Sequence, residues 1–179
     1  MYGFMIEKSI VAKDVDAYNR SAIATVDIDG GNLVSLAAGT TAEAPWIATV
    51  PASAATGLWM AYNPQEALSA VNGQVYAGLS NDPRAYTNLA NRPFTVFKPK
   101  KYDVIGFTKD CFDSTLTTST AVGSYFGAKA SQATMTCSST ALAGTSFQVI
   151  SNGTLPFPAA SGTVGLSQYQ FVVGECVVE

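Results

Sequence analysis

Short runs in which apolar and polar residues alternate, each stopped by Gly, Pro or Asn, recur along this chain at roughly 8–12 residue spacing, the pattern of strands in a sandwich or barrel. Ala24, Val26 and Ile28 alternate with Thr25, Asp27 and Asp29, and Gly30-Gly31 then turns the chain into Leu33–Leu36, a hairpin signal. Trp46–Val50 predicts a strand stopped by Pro51, and Gly57–Tyr62 another stopped by Asn63-Pro64. The second stop doubles as a helix start: Asn63 caps, Pro64 suits the first helical position and Glu66 sits where a capping box places its acid. Gly73 limits that helix to residues 64–71. Asp82-Pro83 offers a second short turn or helix start. Phe94–Phe97 and Val104–Thr108 flank Pro99-Lys100-Lys101-Tyr102, which predicts a lysine-tipped loop between paired strands.

Charge divides the chain. From Ser114 to Glu179 the charged residues are Lys129, Glu175 and Glu179. This shift predicts two β-sandwich or barrel-like parts in an all-β fold with at most one or two short helices. Residues 1–112 form the first part, opening on an apolar arm at residues 1–8. Residues 113–179 form a Ser/Thr-rich, charge-poor second part. Strands are expected there at Gly123–Ala128, Ala133–Cys137, Ser146–Ile150 and Gln168–Val178, with a turn at Asn152-Gly153. Tyr125, Phe126 and Phe147 favour order over a mucin-like tract. In the last strand Tyr169, Phe171 and Val173 share a face and the apolar positions then become Cys176 and Val178, a parity change at Gly174 that a β-bulge would produce.

Composition removes much chemistry. The 179 residues contain no histidine, which excludes Ser-His-Asp triads, Cys-His dyads and classical zinc fingers. Charged residues are 13% of the chain, against roughly 25% in ordinary soluble domains. A net charge of −3 gives no broad attraction to phosphate backbones or anionic lipid, so neither nucleic acid nor membrane is an expected partner. The apolar start at Met1–Ile6 is broken by Glu7-Lys8 and lacks a basic opening and a cleavage pattern, so it does not read as a signal peptide. No window reaches the ~18 apolar residues of a membrane helix, and the chain reads as soluble and made in a cytoplasm. Cys111, Cys137 and Cys176 are odd in number and widely spaced, which predicts structural thiols rather than a disulfide framework.

The remaining candidates each have a plain structural reading. Asp27–Asn32 resembles a calcium loop but has Asn32 in place of the required Gly and Ala38 in place of the bidentate acid, so solvated turn aspartates are expected. Lys98, Lys100 and Lys101 among Phe94, Phe97 and Tyr102 mix cations with rings, and an acidic patch on a protein partner suits them better than nucleic acid. Asp103, Asp110, Asp113 and Glu175 contain enough carboxylates for a glycosidase pair, with turn and strand-end roles the simpler explanation. No Ser-x-x-Lys, phosphate-binding loop or dinucleotide fingerprint occurs, and no catalytic, cofactor or metal residue is assigned. Trp46, Trp59, Tyr62, Tyr76 and Tyr86 concentrate aromatics in the first part, as core or as a sugar- or protein-contact surface.

Gly57–Pro64, Asn81–Asn88 and Arg92-Pro93-Phe94 leading into Asp103–Thr108 together resemble small virion proteins of tailed bacteriophages, the capsid decoration or cement proteins. The likeness is one of style, spread over residues 20–179 and including the closing Tyr169–Glu179 strand. It implies a β-rich, non-enzymatic protein on the capsid exterior, bound to the major capsid protein and to copies of itself, most often as a trimer. On that reading Met1, Tyr2, Phe4, Met5, Ile6, Lys100 and Lys101 are the expected partner contacts. The alternatives are a host-surface or glycan-binding module on the virion, a tail or fibre subunit, and a glycosidase acting through Asp103, Asp110 or Asp113.

Overall fold

The structure, a computed structural model, describes residues 4–8, 18–52, 55–62, 70–71, 74–75, 87–117, 120–158 and 166–179. The fold is all-β. Its strands are β1 (Phe4–Lys8), β2 (Asn19–Ile23), β3 (Ile28–Asp29), β4 (Leu33–Ala37), β5 (Trp46–Thr49), β6 (Trp59–Tyr62), β7 (Ala70–Val71), β8 (Gln74–Val75), β9 (Thr87–Asn88), β10 (Phe94–Phe97), β11 (Val104–Thr108), β12 (Tyr125–Ala128), β13 (Met135–Ser138), β14 (Ser146–Pro158) and β15 (Leu166–Val178). Helical backbone among the described residues is confined to 3-10 turns at Tyr18 and Lys109–Cys111.

Two bodies of sheet carry the fold. Strands β10-β2-β5-β4-β6 close into a barrel, and β1-β11-β15-β14-β12-β13 form a six-stranded sheet. Directly paired residues share a face and alternate positions change face, so register identifies the barrel's inside. Val96 pairs with Arg20 and Ala61, Val34 with Trp59, Leu36 with Ala48, and Ala22 with Trp46 and Phe94. One face thus carries Arg20, Ala22, Val34, Leu36, Trp46, Ala48, Trp59, Ala61, Phe94 and Val96, and most of these form one buried cluster with Ala24 and Ile28. Five strands enclose a narrow interior, which explains the alanines on this face.

The opposite face of β4, β6 and β10 presents Leu33, Met60 and Phe97, which are buried with Ile105, Phe107, Phe126, Met135, Phe147, Val149, Val172 and Cys176 of the six-stranded sheet. The barrel therefore docks on one face of that sheet through a continuous core. Phe107 is central: it meets Phe112, Phe126 and Phe147 edge-on at 6.1, 5.4 and 5.6 Å between centroids, while Phe126 and Phe147 stack at 5.2 Å. Each such pair is worth about 0.5–1.5 kcal/mol beyond area burial.

This arrangement corrects several sequence expectations. The boundary at residues 112 and 113 falls inside the six-stranded sheet, because β11 pairs with β15. Sequence composition follows solvent and partner surfaces, whereas the core joins both halves. The arm at residues 1–8 is not free along Phe4–Lys8: this segment is an edge strand, with Phe4 opposite Phe107 and Ile6 opposite Ile105. The helix over 64–71 ends instead in strand, as Ala70–Val71 pairs with Gln74–Val75, and residues 64–69 lie outside the described residues. Gly30-Gly31 turns the chain without making a hairpin, since β3 pairs with β9 and β4 with β5 and β6. Nor do β10 and β11 pair, for they belong to different sheets.

Asn152-Gly153 lies within β14, a thirteen-residue strand paired along β15. The parity change does not occur at Gly174, since Val172, Gly174 and Cys176 all point to the core. The pairing shifts register at two other places: on β14 between Val149 and Ser151, leaving Ile150 as the extra, 43% exposed residue, and on β15 between Cys176 and Val178, opposite Phe147 and Ser146, leaving Val177 extra. Gly174 has another cause: a Cβ there would lie 2.3 Å from Phe126 Cζ and 3.0 Å from Phe147 Cβ. The stacked rings occupy the space of its side chain.

Candidate functional site

The lysine turn packs against the end of β15. Asp103, 1% exposed, closes the turn by accepting the Lys100 N–H at 2.8 Å and donating its own N–H to Lys100 O at 2.9 Å. Lys100 Nζ pairs with Glu179 Oε2 at 2.6 Å and lies 4.5 Å from the Tyr18 ring centroid. Glu179 Oε1 also accepts the Lys101 N–H at 3.3 Å. The hydrogen bond between Lys100 and Glu179 holds the glutamate below its usual carboxylate range and raises the ammonium. The expected contact pair is thereby split: Lys100 is held by Glu179, while exposed Lys101 lies over the ring of Tyr102 at 5.3 Å. Tyr102 adopts φ 77°, a conformation that a bulky residue takes only under constraint. Its N–H bond to Cys176 O at 2.9 Å supplies part of that constraint. Phe4, Met5 and Ile6 occupy β1, and Met1 and Tyr2 lie outside the described residues.

The neighbouring mouth of the barrel sets one cation against two aromatic rings. Register puts Arg20, Leu36, Trp46 and Trp59 on the interior face at one end of their strands. Arg20 Cζ lies 5.4 Å from the Trp46 centroid and 5.9 Å from that of Trp59, within cation–π range of both. Trp46 is 36% exposed and adjacent Ile47 38%. Lys98, half-buried, continues β10 at the same end, and its N–H donates to Tyr18 O at 2.9 Å. Sequence reasoning picked out the two tryptophans but missed Arg20. The available signal was its parity: Arg20 shares a strand face with Ala22 and Ala24, so a charge stands where alternation demands an apolar side chain. Tyr62 packs edge-on against Phe97 at 6.0 Å, and Tyr76 and Tyr86 lie outside the described residues.

The candidate carboxylates hold structure together. Asp113 Oδ2 accepts from Lys129 Nζ at 2.8 Å, and its Oδ1 accepts from the Thr115 amide and hydroxyl. Burial pushes its pKa up, but these donors outweigh burial and hold the carboxyl below its usual range. Asp110 sits in the 3-10 turn, and Glu175 stands opposite Gln148 on the far face of the sheet. The aspartates of the calcium-like loop are bonded within the fold: Asp27 Oδ1 accepts the Ala90 N–H at 2.8 Å and Asp29 Oδ1 the Thr87 hydroxyl at 2.5 Å. Burial raises Asp29. Among the described residues no group of three or more His, Cys, Asp or Glu side chains is arranged to hold a metal ion. The cysteines are free thiols, and burial pushes Cys137 to about 11 and Cys176 to about 12, leaving both un-ionised at neutral pH.

The six-stranded sheet has a second face, turned away from the barrel. Val104, Glu175, Gln148, Tyr125 and Ser138 form one half-buried row across five strands, followed by Val173, Ser151 and exposed Ile150. Glu175 is the charged residue among these. Gln148 Nε2 donates to Tyr125 Oη and Gly123 O, both at 3.4 Å, which orders the row. No helix among the described residues is long and apolar enough to cross a membrane. No protein-family model, curated protein or solved structure matches this chain.

Proposed function

We propose that this chain is a structural virion protein of a tailed bacteriophage, a decoration protein that binds the outside of the major capsid shell and stabilises it, acting by contact rather than catalysis. The observation that carries the reading is the far face of the six-stranded sheet, where the row from Val104 to Ser138 has Glu175 as its one charge, with Lys8 paired to Val104 at the β1 edge. Attachment through such a face desolvates little charge, and weak contacts repeated over a lattice gain by multivalency. The resemblance carried by Gly57–Pro64, Asn81–Asn88 and Arg92–Thr108 supports the same assignment. Association with further copies, as a trimer, belongs to this reading.

Removing residues 1–8 would test it poorly, because the deletion also removes an edge strand of the sheet. Val173→Glu and Ile150→Lys place charge on the far face instead. Each is expected to lower occupancy on purified shells at least tenfold in co-sedimentation while leaving thermal unfolding within a few degrees of the parent. Unchanged occupancy in both variants overturns the proposal.

A further inference from the structure

We infer that the barrel mouth formed by Arg20, Trp46 and Trp59 is a binding site for a carboxylate-bearing sugar. Mouths of β-barrels are recurrent ligand sites, and this one offers two complementary chemistries in one place. The Arg20 guanidinium is flanked by both indoles and is exposed, and among the described residues no carboxylate pairs with it. Its planar fork is thus oriented by the rings while its donors remain available, the geometry in which arginine receives a carboxylate through two parallel hydrogen bonds. The partly exposed ring of Trp46 and the neighbouring Leu36, on the same interior face, supply apolar surface against which the C–H face of a sugar ring packs.

A polynucleotide fits less well. It would need a broad cationic track, whereas this chain has net charge −3 and Lys100 beside the mouth is already paired with Glu179. A single anionic group needs one fork. The mouth also remains free under the proposed capsid attachment, because the barrel docks on the sheet face opposite the one assigned to the shell. The inference does not depend on that attachment and is tested on the isolated protein.

The chain contains two tryptophans and both stand at this mouth, so intrinsic fluorescence of the unmodified protein reads the site directly. Titration with sialyllactose is expected to give a saturable change that lactose does not give, weakening at least threefold between 50 mM and 500 mM salt, values on the order of those that separate screened from unscreened ion pairs. Arg20→Gln is expected to weaken the interaction at least tenfold, and Arg20→Lys to recover part of it. Nuclear magnetic resonance of the sugar, by saturation transfer, gives the same comparison for Trp46→Ala, where a fluorophore is lost. Equal responses to sialyllactose and lactose, no response to either at millimolar concentration, or a saturable response to single-stranded DNA that displaces the sugar would overturn the assignment.

Discussion

Phe126 and Phe147 fill the space above Gly174 so completely that the backbone alone fits beneath them. Gly174→Ala must therefore displace a stacked pair that also packs on Phe107 and Phe112, a strain of about 1–3 kcal/mol by the usual cost of overpacking. Urea denaturation followed by circular dichroism checks this, and an unchanged midpoint would show that the rings yield freely. Ser146 makes the reverse case. Its buried Oγ has no hydrogen-bond partner among the described residues, so Ser146→Ala should leave stability unchanged or raise it by about 1 kcal/mol in the same experiment. Asp113 predicts a pH effect. Its folded-state pKa is depressed, so its stabilisation is complete above the ordinary carboxylate value near ~3.9 and is lost as pH falls through the lower folded-state value. Asp113→Asn should lower the midpoint at pH 7 and shrink the difference between pH 5 and pH 2.5, about the interval that brackets that loss. Such residue-level causes are hidden from alternation, which saw an unusual glycine at Gly174 but assigned it to a bulge. The bulges sit across the ladder at Ile150 and further along β15 at Val177.

At the scale of elements, the strands themselves were legible and their partners were not. Val104–Thr108 and Phe94–Phe97 were readable to the residue because alternation and proline stops are local. Pairing is non-local: β10 and β11 are joined by six residues yet enter different sheets. The Ser/Thr-rich stretch also acquired a purpose that composition could not supply. Edge strands expose unpaired backbone groups and invite aggregation. Here the segment after the 3-10 turn covers β13: Phe112 bridges to Met135, the Asp113 N–H donates to Met135 O at 2.9 Å, and Thr115 Oγ1 accepts the Cys137 N–H at 2.7 Å. Thr115→Val removes that acceptor and a donor to Asp113. It should cost about 1–2 kcal/mol and speed amide exchange at Cys137 more than at Phe126; equal effects at both would mean that Thr115 does not guard the edge.

The molecule as a whole unites halves that charge patterning had separated. Both tryptophans report on the barrel, whereas Cys137 and Cys176 report on the sheet. The shared core of Leu33, Met60 and Phe97 with Phe107 and Phe126 predicts that tryptophan fluorescence and thiol labelling give coincident urea transitions. Transitions separated by more than about 0.5 M, on the order of what two independent units would show, would mean that the interface couples them weakly. The uneven charge remains informative, though about surface rather than boundary, since it leaves the far-face row from Val104 to Ser138 with Glu175 as its one charge and Lys8 at the β1 edge beside it. That face is the central claim about function. The most direct measurement is an electron cryomicroscopy reconstruction of the phage particle on which this chain is proposed to sit, at a resolution that separates the barrel from the sheet. The account predicts the row Val104, Glu175, Gln148, Tyr125 and Ser138 against the capsid shell with the barrel mouth facing solvent. Density that puts the barrel against the shell, or that has no place for this chain on the capsid exterior, would contradict it.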